Sequence, residues 1–218
     1  MYDGKYDIEN LRKRAEQGDT YAMLYLGNIY RFGKDDIEPE AEKAFALYEN
    51  AAKGGNTVGY LFMGVMYEYG EGVLQDELKA AACYQYCAEQ GNSQGWCRLG
   101  VLYLDGKGVK RNAELAKRCF QEAAKLKDSD GFLYLGQMHE DGIGFSENPF
   151  TAAQLYETAA RMGNARAQAQ IGMCYESGVG VEPNLDKAIE WYKQAAKQKN
   201  ELALWRLLDL ANTLGGTI

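Results

Sequence analysis

A period of 36 residues runs through this chain and limits what it can fold into. A leucine-like residue followed by glycine recurs at Leu26-Gly27, Met63-Gly64, Leu99-Gly100, Leu135-Gly136 and Ile171-Gly172, at glycine spacings of 37, 36, 36 and 36. Three residues after each glycine stands Tyr30, Tyr67, Tyr103, His139 or Tyr175, and Gly-x-Gly follows at 70/72, 106/108, 142/144 and 178/180. A later alanine recurs at Ala52, Ala88, Ala124, Ala160 and Ala196, four residues after a ring: Tyr48, Tyr84, Phe120, Tyr156 and Tyr192. Five copies that agree at this many positions point to a stacked array of one supersecondary unit.

Each unit reads as two helices. In the second copy the first helix starts after Asn56 and runs to about Tyr69, with Gly59, Met63, Met66 and Tyr67 on one helical face. The glycine of the Leu-Gly pair is expected to let a neighbouring helix approach, which offsets the ~1 kcal/mol it costs inside a helix. Gly70 and Gly72 then end the helix. The second helix starts at an N-capping residue, Asp76, Asn112, Asn148 or Asn184, and Pro149 suits a first helical position. Small residues at Ala44, Ala80, Ala116, Ala152 and Ala188 favour tight packing. The helix closes at Gly55-Asn56, Gly91-Asn92 and Gly163-Asn164. Lys127-Asp128 and Lys199-Asn200 break that rule, so two turns are expected to be strained or differently shaped.

The ends read as half-repeats. Leu11 to Asp19 resembles a lone second helix and Leu202 to Asn212 a lone first helix, each suited to cap the array; Gly215 to Ile218 reads as a frayed tail. The expected layout is a capping helix over 1–19, five repeats over 20–56, 57–92, 93–128, 129–164 and 165–200, and a capping helix with tail over 201–218. The first repeat has one extra residue in its inter-helix loop, Gly33 to Glu40.

Composition excludes several function classes. The net charge is −7, with no basic stripe to neutralise phosphates, which argues against nucleic acid. No window approaches the ~18 consecutive apolar residues of a membrane helix. Met1-Tyr2-Asp3-Gly4-Lys5 leads into a charged segment, unlike an export signal. The five cysteines, Cys83, Cys87, Cys97, Cys119 and Cys174, are odd in number and irregular in spacing, which favours a reducing, cytoplasmic setting. Cys83 and Cys87 are half of a metal site with no second half, so no metal and no cofactor are expected.

His139, the sole histidine, takes the place of a repeat tyrosine and reads as a half-buried substitute with one hydrogen bond. No nucleophile–base pair, Walker motif or Gly-x-Ser-x-Gly elbow is present. The Gly-x-Gly pairs follow helices rather than joining a strand to a helix, so they read as turns and not phosphate loops. An enzyme is not expected.

These motifs resemble the Sel-1-like repeats, relatives of the tetratricopeptide repeats. The clearest copy holds Ala167, Ile171-Gly172, Tyr175, Gly178-Val179-Gly180-Val181, Asn184, Lys187-Ala188, Trp191-Tyr192, Ala195-Ala196 and Asn200. The resemblance covers roughly residues 8 to 212 and implies an all-α right-handed superhelical solenoid. It also implies an adaptor or scaffold, in bacteria often for signalling, secretion or host interaction. Some secreted relatives carry a disulfide in every repeat, a pattern missing here.

By analogy with tetratricopeptide arrays the first helices line a concave groove. Positions two before, one after, four after and five after the glycine face away from the core stripe. The N-terminal half offers the aromatics Tyr25, Phe32, Phe62 and Tyr69 and the C-terminal half the acids Asp105, Asp141, Glu140 and Glu176, with Glu68, Arg98 and Tyr134 completing the set. These are the candidate partner-binding residues. The expected ligand is a peptide or protein with apolar anchors at one end and Lys/Arg at the other. The competing reading packs the aromatics between first helices and leaves the acids as a solvated face. The function expected is a protein-binding scaffold. The alternative is an inhibitor or immunity-type protein that neutralises one toxin or enzyme, with a hydrolase ranked below both.

Overall fold

The computed structural model describes residues 8–34 and 36–213. The tail at Gly215 to Ile218 and the segment at Met1 to Lys5 lie outside the described residues. Among the described residues the chain is an all-α repeat solenoid of twelve helices. In chain order these are α1 (Ile8–Glu16), α2 (Thr20–Phe32), α3 (Ala41–Lys53), α4 (Thr57–Tyr69), α5 (Glu77–Glu89) and α6 (Ser93–Asp105). They continue with α7 (Ala113–Lys125), α8 (Ser129–Glu140), α9 (Pro149–Arg161), α10 (Ala165–Ser177), α11 (Leu185–Lys197) and α12 (Glu201–Thr213). The long loop of the first repeat carries an isolated antiparallel bridge between Lys34 and Ile37. Two compact units result, one ending at Asn112 and one starting at Ala113. Within each, helices pack chiefly on their neighbours in sequence, as an array requires.

Capping residues set the helix starts. The side-chain oxygens of Asp19, Asn56, Asn92, Asp128 and Asn164 accept first-turn N–H groups of the helices that follow them. Asp76, Asn148 and Asn184 accept from the N–H of Lys79, Thr151 and Lys187 at 2.9–3.0 Å. Each such cap contributes about 1 kcal/mol. Glu40, before α3, makes no side-chain capping bond.

In three of the four Gly-x-Gly pairs the two glycines do different things. Gly70, Gly106 and Gly178 are left-handed C-caps with φ of 71°, 74° and 76°. The second glycine seats the loop on the preceding repeat. A Cβ on Gly72 would overlap the Ala41 carbonyl, one on Gly108 that of Glu77, and one on Gly180 that of Pro149.

Lys127 and Lys199 keep the shape of the glycine turns instead of changing it. The N–H of Lys127 donates to the Ala124 carbonyl at 2.9 Å, as that of Gly55 does to Ala52. The lysines adopt φ of 60° and 62°, inside the left-handed region. That conformation costs a residue with a Cβ about 1–2 kcal/mol, partly offset because glycine is freer when unfolded. Lys127→Gly and Lys199→Gly are each expected to raise the unfolding free energy by about 0.5–1 kcal/mol. A melting point that falls in differential scanning calorimetry would show that the lysines make contacts outweighing the strain.

The core is layered by repeat. Tyr48, Tyr84, Phe120, Tyr156 and Tyr192 are fully buried. Each of the four tyrosine rings lies on the Leu-Gly glycine of its own repeat's first helix. A Cβ built on Gly27, Gly64, Gly136 or Gly172 would come within 2.5–2.6 Å of the ring. The glycine expected to admit a helix therefore admits a side chain. The helix-on-helix approach occurs five residues earlier, where a Cβ on Gly59 would meet the Tyr48 carbonyl at 2.6 Å and one on Gly131 the Ala124 nitrogen at 2.6 Å. Around these rings the buried clusters form, such as Leu24, Ala44, Tyr48, Met63 and Met66 in the first unit. In the second unit Leu133, Tyr156, Ala159 and Ile171 form another.

Candidate protein-interaction surface

A buried phenol needs an acceptor, and the repeat supplies one. Tyr84, Tyr156 and Tyr192 donate their hydroxyls to Glu68, Glu140 and Glu176 at 2.6, 2.5 and 2.7 Å. The acceptor always sits four residues after the Leu-Gly glycine, one turn along the helix that the ring covers. Burial pushes the three phenol pKa values up, and the adjacent carboxylate pushes them further, so the hydroxyls stay protonated and donate. In the first repeat Arg31 stands at the acceptor position. There Tyr48 donates to Asn28 at 2.8 Å, and Arg31 forms a bidentate pair with Glu71 at 2.6 and 2.9 Å. In the third repeat both polar groups are gone together: the acceptor position is Leu104 and the ring is Phe120.

The next first helix often completes the set. Arg98 lies 4.0 Å from Glu68, and Arg206 of α12 pairs with Glu176 through two guanidinium nitrogens. Both arginines stand two residues before the glycine position of their own helix, counting Leu208 as that position in α12. Phe62, the same position in α4, stacks on Tyr48 with ring centroids 4.8 Å apart. Tyr134, the same position in α8, stacks on Phe120 at 4.7 Å and 18°, under the Arg166 guanidinium at 5.3 Å. The position two before the glycine thus joins one repeat to the next in these cases. A second recurring bond is a cation over a ring. Lys43, Lys79 and Lys187 lie 5.4, 5.2 and 5.1 Å from the Tyr30, Tyr67 and Tyr175 rings.

Other candidate residues lie outward. Tyr25, Phe32 and Tyr69 are 48–68% exposed. Tyr21, also strongly exposed, joins Tyr25 and Phe32 on α2 at i, i+4 and i+11, a single helical stripe with Asn28 between. Sequence reasoning missed Tyr21 because it lies six residues before the glycine; its i, i+4 relation to Tyr25 was the available signal. Beside the stripe is a cavity of about 400 Å³ lined by Leu11, Tyr25, Asn28, Ile29, Gly33 and Lys34. Asp105 is exposed and paired with Lys107 at 2.9 Å. Asp141 is exposed at the C-cap of α8.

The residues weighed for chemistry are packed instead. His139 is half-buried and stacks on Phe145 at 3.8 Å. Its buried Nδ1 has no hydrogen-bond partner among the described residues. Burial and the nearby Lys117 amine lower its pKa, which keeps the ring neutral at neutral pH. All five cysteines are buried and none is in a disulfide. Burial pushes the thiols of Cys83 and Cys174 up to about 11 and those of Cys87 and Cys119 up to about 12, far from a reactive thiolate. Among the described residues no group of three His, Cys, Asp or Glu is placed to hold a metal. No helix there is long and apolar enough to cross a membrane.

Two-helix repeats stacked through glycine-seated tyrosines, with varied aromatics left outside, define a class of α-helical repeat solenoid. The Sel1 repeat model matches at residues 20–56, 57–92, 97–128, 133–164 and 165–200, and the chain belongs to the Sel1 repeat family. Proteins of this family generally mediate protein–protein interaction and are typically non-catalytic. No curated protein matches significantly. Among solved structures, the chain is similar to c5321, a protective antigen of uropathogenic Escherichia coli with an SLR fold. Identity is 32% and the TM-score 0.77, over 94% of this chain and 44% of that one. This chain thus spans less than half the length of that relative. A Sel1 repeat protein from Oxalobacter formigenes is 28% identical, with a TM-score of 0.77, over 90% of this chain and 78% of its own. The immunity protein Pa5087 of Pseudomonas aeruginosa has the same fold at 21% identity and a TM-score of 0.67, over 90% and 75% of the two chains.

Proposed function

We propose that this chain is an adaptor that holds a peptide or protein partner, with Tyr25, Phe32 and Tyr69 of the first unit as its apolar anchors. The observation that supports this is the solvent-exposed aromatic stripe of α2. Large rings cost apolar exposure, and they bring wide contact area at little loss of side-chain freedom on binding. Phe62 forms part of the floor beneath, since it rests on Tyr48. Glu68, Glu140 and Glu176 serve the solenoid's own tyrosines and arginines, so a basic stretch of ligand falls to Asp105 in the first unit and Asp141 in the second. Tyr134, half-buried, and Arg98, half-exposed, are secondary contacts.

The test compares wild type with Tyr25→Ala/Phe32→Ala/Tyr69→Ala in affinity capture from native extract, followed by titration of the retained protein. A fall in affinity of at least about 100-fold is expected, with an unchanged melting curve. A partner bound equally well by the variant places the binding surface elsewhere. A single partner held one-to-one at subnanomolar affinity would favour the inhibitor reading over the adaptor.

A further inference from the structure

The loop between α8 and α9 is held to the preceding repeat differently from its counterparts. At Gly72, Gly108 and Gly180 a Cβ would overlap a backbone carbonyl of the preceding second helix. On Gly144 it would stand 3.4 Å from the Ala113 carbonyl oxygen, an ordinary contact distance. Side chains make up the difference. The Lys117 amine of α7 donates to the Gly144 carbonyl at 3.2 Å and lies 4.8 Å from the centroid of the Phe145 ring. Phe145 in turn stacks on His139 at 3.8 Å.

His139 suits this seat only while its ring is neutral. Where the repeat has Tyr30, Tyr67 or Tyr175 at this position, a lysine of the following helix lies over the ring. In the fourth repeat Thr151 takes the place of that lysine. The exchange leaves a ring that titrates, without the cation that would oppose its protonation from α9. A neutral imidazole can leave Nδ1 bare, whereas an imidazolium carries a proton on both nitrogens. The buried Nδ1 has no acceptor among the described residues, so the proton it would gain is a stranded donor. The charged groups around it are already committed or turned to solvent. On α7, Glu114 is bound to Lys117 at 2.6 Å. At the end of α8, Glu140 accepts the Tyr156 hydroxyl, and Asp141 is exposed. Glu147 in the loop is exposed, and the start of α9 from Asn148 to Thr151 is uncharged. Attraction to the Phe145 face favours an imidazolium, but the Lys117 ammonium already lies against that ring. Burial and that ammonium together hold the pKa of His139 down.

We propose that His139 is an acid-sensitive latch: on protonation the ring leaves Phe145, and the loop at 142–147 lifts from α7. In the open loop the ring meets water and takes the ordinary histidine value of 6.5, while in the closed loop its value is lower. Closure is therefore fully favoured above about pH 6.5 and progressively less so below it, until the closed ring itself takes up the proton.

Amide hydrogen exchange of the full chain, read by NMR at about pH 7 and about pH 5 and corrected for the intrinsic rate at each pH, tests this. The Ile143 and Asn148 amides, which donate to the Met138 and His139 carbonyls at 2.9 and 2.8 Å, report the loop. Their protection should fall at least about fivefold from the higher pH to the lower, as uptake of one proton requires. The Asp76 and Asn184 amides make the equivalent bond to Tyr67 and Tyr175 at 2.9 and 2.7 Å and should keep theirs. The imidazole signals of His139, the only histidine in the sequence, should titrate below 6.5 in the same samples. His139→Tyr restores the ring of the other repeats and should remove the pH dependence at Ile143 and Asn148. His139→Phe keeps a neutral ring against Phe145 and carries the comparison should the tyrosine not fit. Protection in the wild type that ignores pH, a fall that survives in the variants, an equal fall at Asp76 and Asn184, or an imidazole that titrates at or above 6.5 would each overturn the proposal.

Discussion

Replacing Gly64 with leucine is expected to lower the unfolding free energy by about 3 kcal/mol or more, at the upper end of what overpacking costs. The Cβ alone would stand 2.5 Å from Cε1 and 2.8 Å from Cδ1 of Tyr84. That ring has no exposed surface to retreat into. Its hydroxyl is held by Glu68 at 2.6 Å, so swinging the ring aside also breaks a buried hydrogen bond. The better helix propensity of leucine returns only about 0.8 kcal/mol. Gly64→Ala should act in the same direction and less strongly. Repeat arrays do not always unfold in one step, so urea melts are best joined to hydrogen exchange of the α4 and α5 amides. A parent-like melt would mean that the ring moves freely, and would remove the reason for a glycine beneath the tyrosine in four repeats.

Glu68→Leu should cost about 2 kcal/mol, and adding Tyr84→Phe should restore most of it. The single change leaves a buried phenol without an acceptor, and that unmet bond carries the penalty. The double change removes donor and acceptor together, so nothing polar is stranded. The third repeat carries this pair in its own sequence, with Leu104 and Phe120 at the two positions. A coupling energy of at least about 1 kcal/mol in the double-mutant cycle is the expected result. Equal destabilisation of the single and double variants would show that Glu68 acts through Arg98, 4.0 Å away, rather than through the phenol.

The repeat was legible because periodic packing leaves a periodic sequence. Leu-Gly, the Gly-x-Gly turns and the Asn or Asp caps recur since each copy meets the same neighbours, and helix starts such as Thr57 after Asn56 followed directly. The roles of particular glycines were not legible. A glycine says that a side chain is excluded, not what excludes it, so Gly64 beneath a ring and Gly59 against a helix backbone look alike in the sequence. Of the two outcomes expected for the lysine turns at 127 and 199, strain is the one seen: the hydrogen bonds of the turn outweigh the cost of a left-handed lysine, and the turn keeps its shape.

The candidate surface divides along the same line. Helical phase alone marked Tyr25, Phe32 and Tyr69 as outward, and they are exposed. It also marked Glu68, Glu140 and Glu176 as outward, but phase does not record that a tyrosine from the following helix reaches over the edge to use them. The sequence by itself determined that this chain is an array of two-helix units and where most of the helices start. Those features depend on local hydrogen bonds and on a spacing that repeats. Only the tertiary structure decided which carboxylates are spent on buried phenols and which aromatics remain uncovered. Each of these depends on what a second helix brings to a position, and a single helix's sequence does not carry that information.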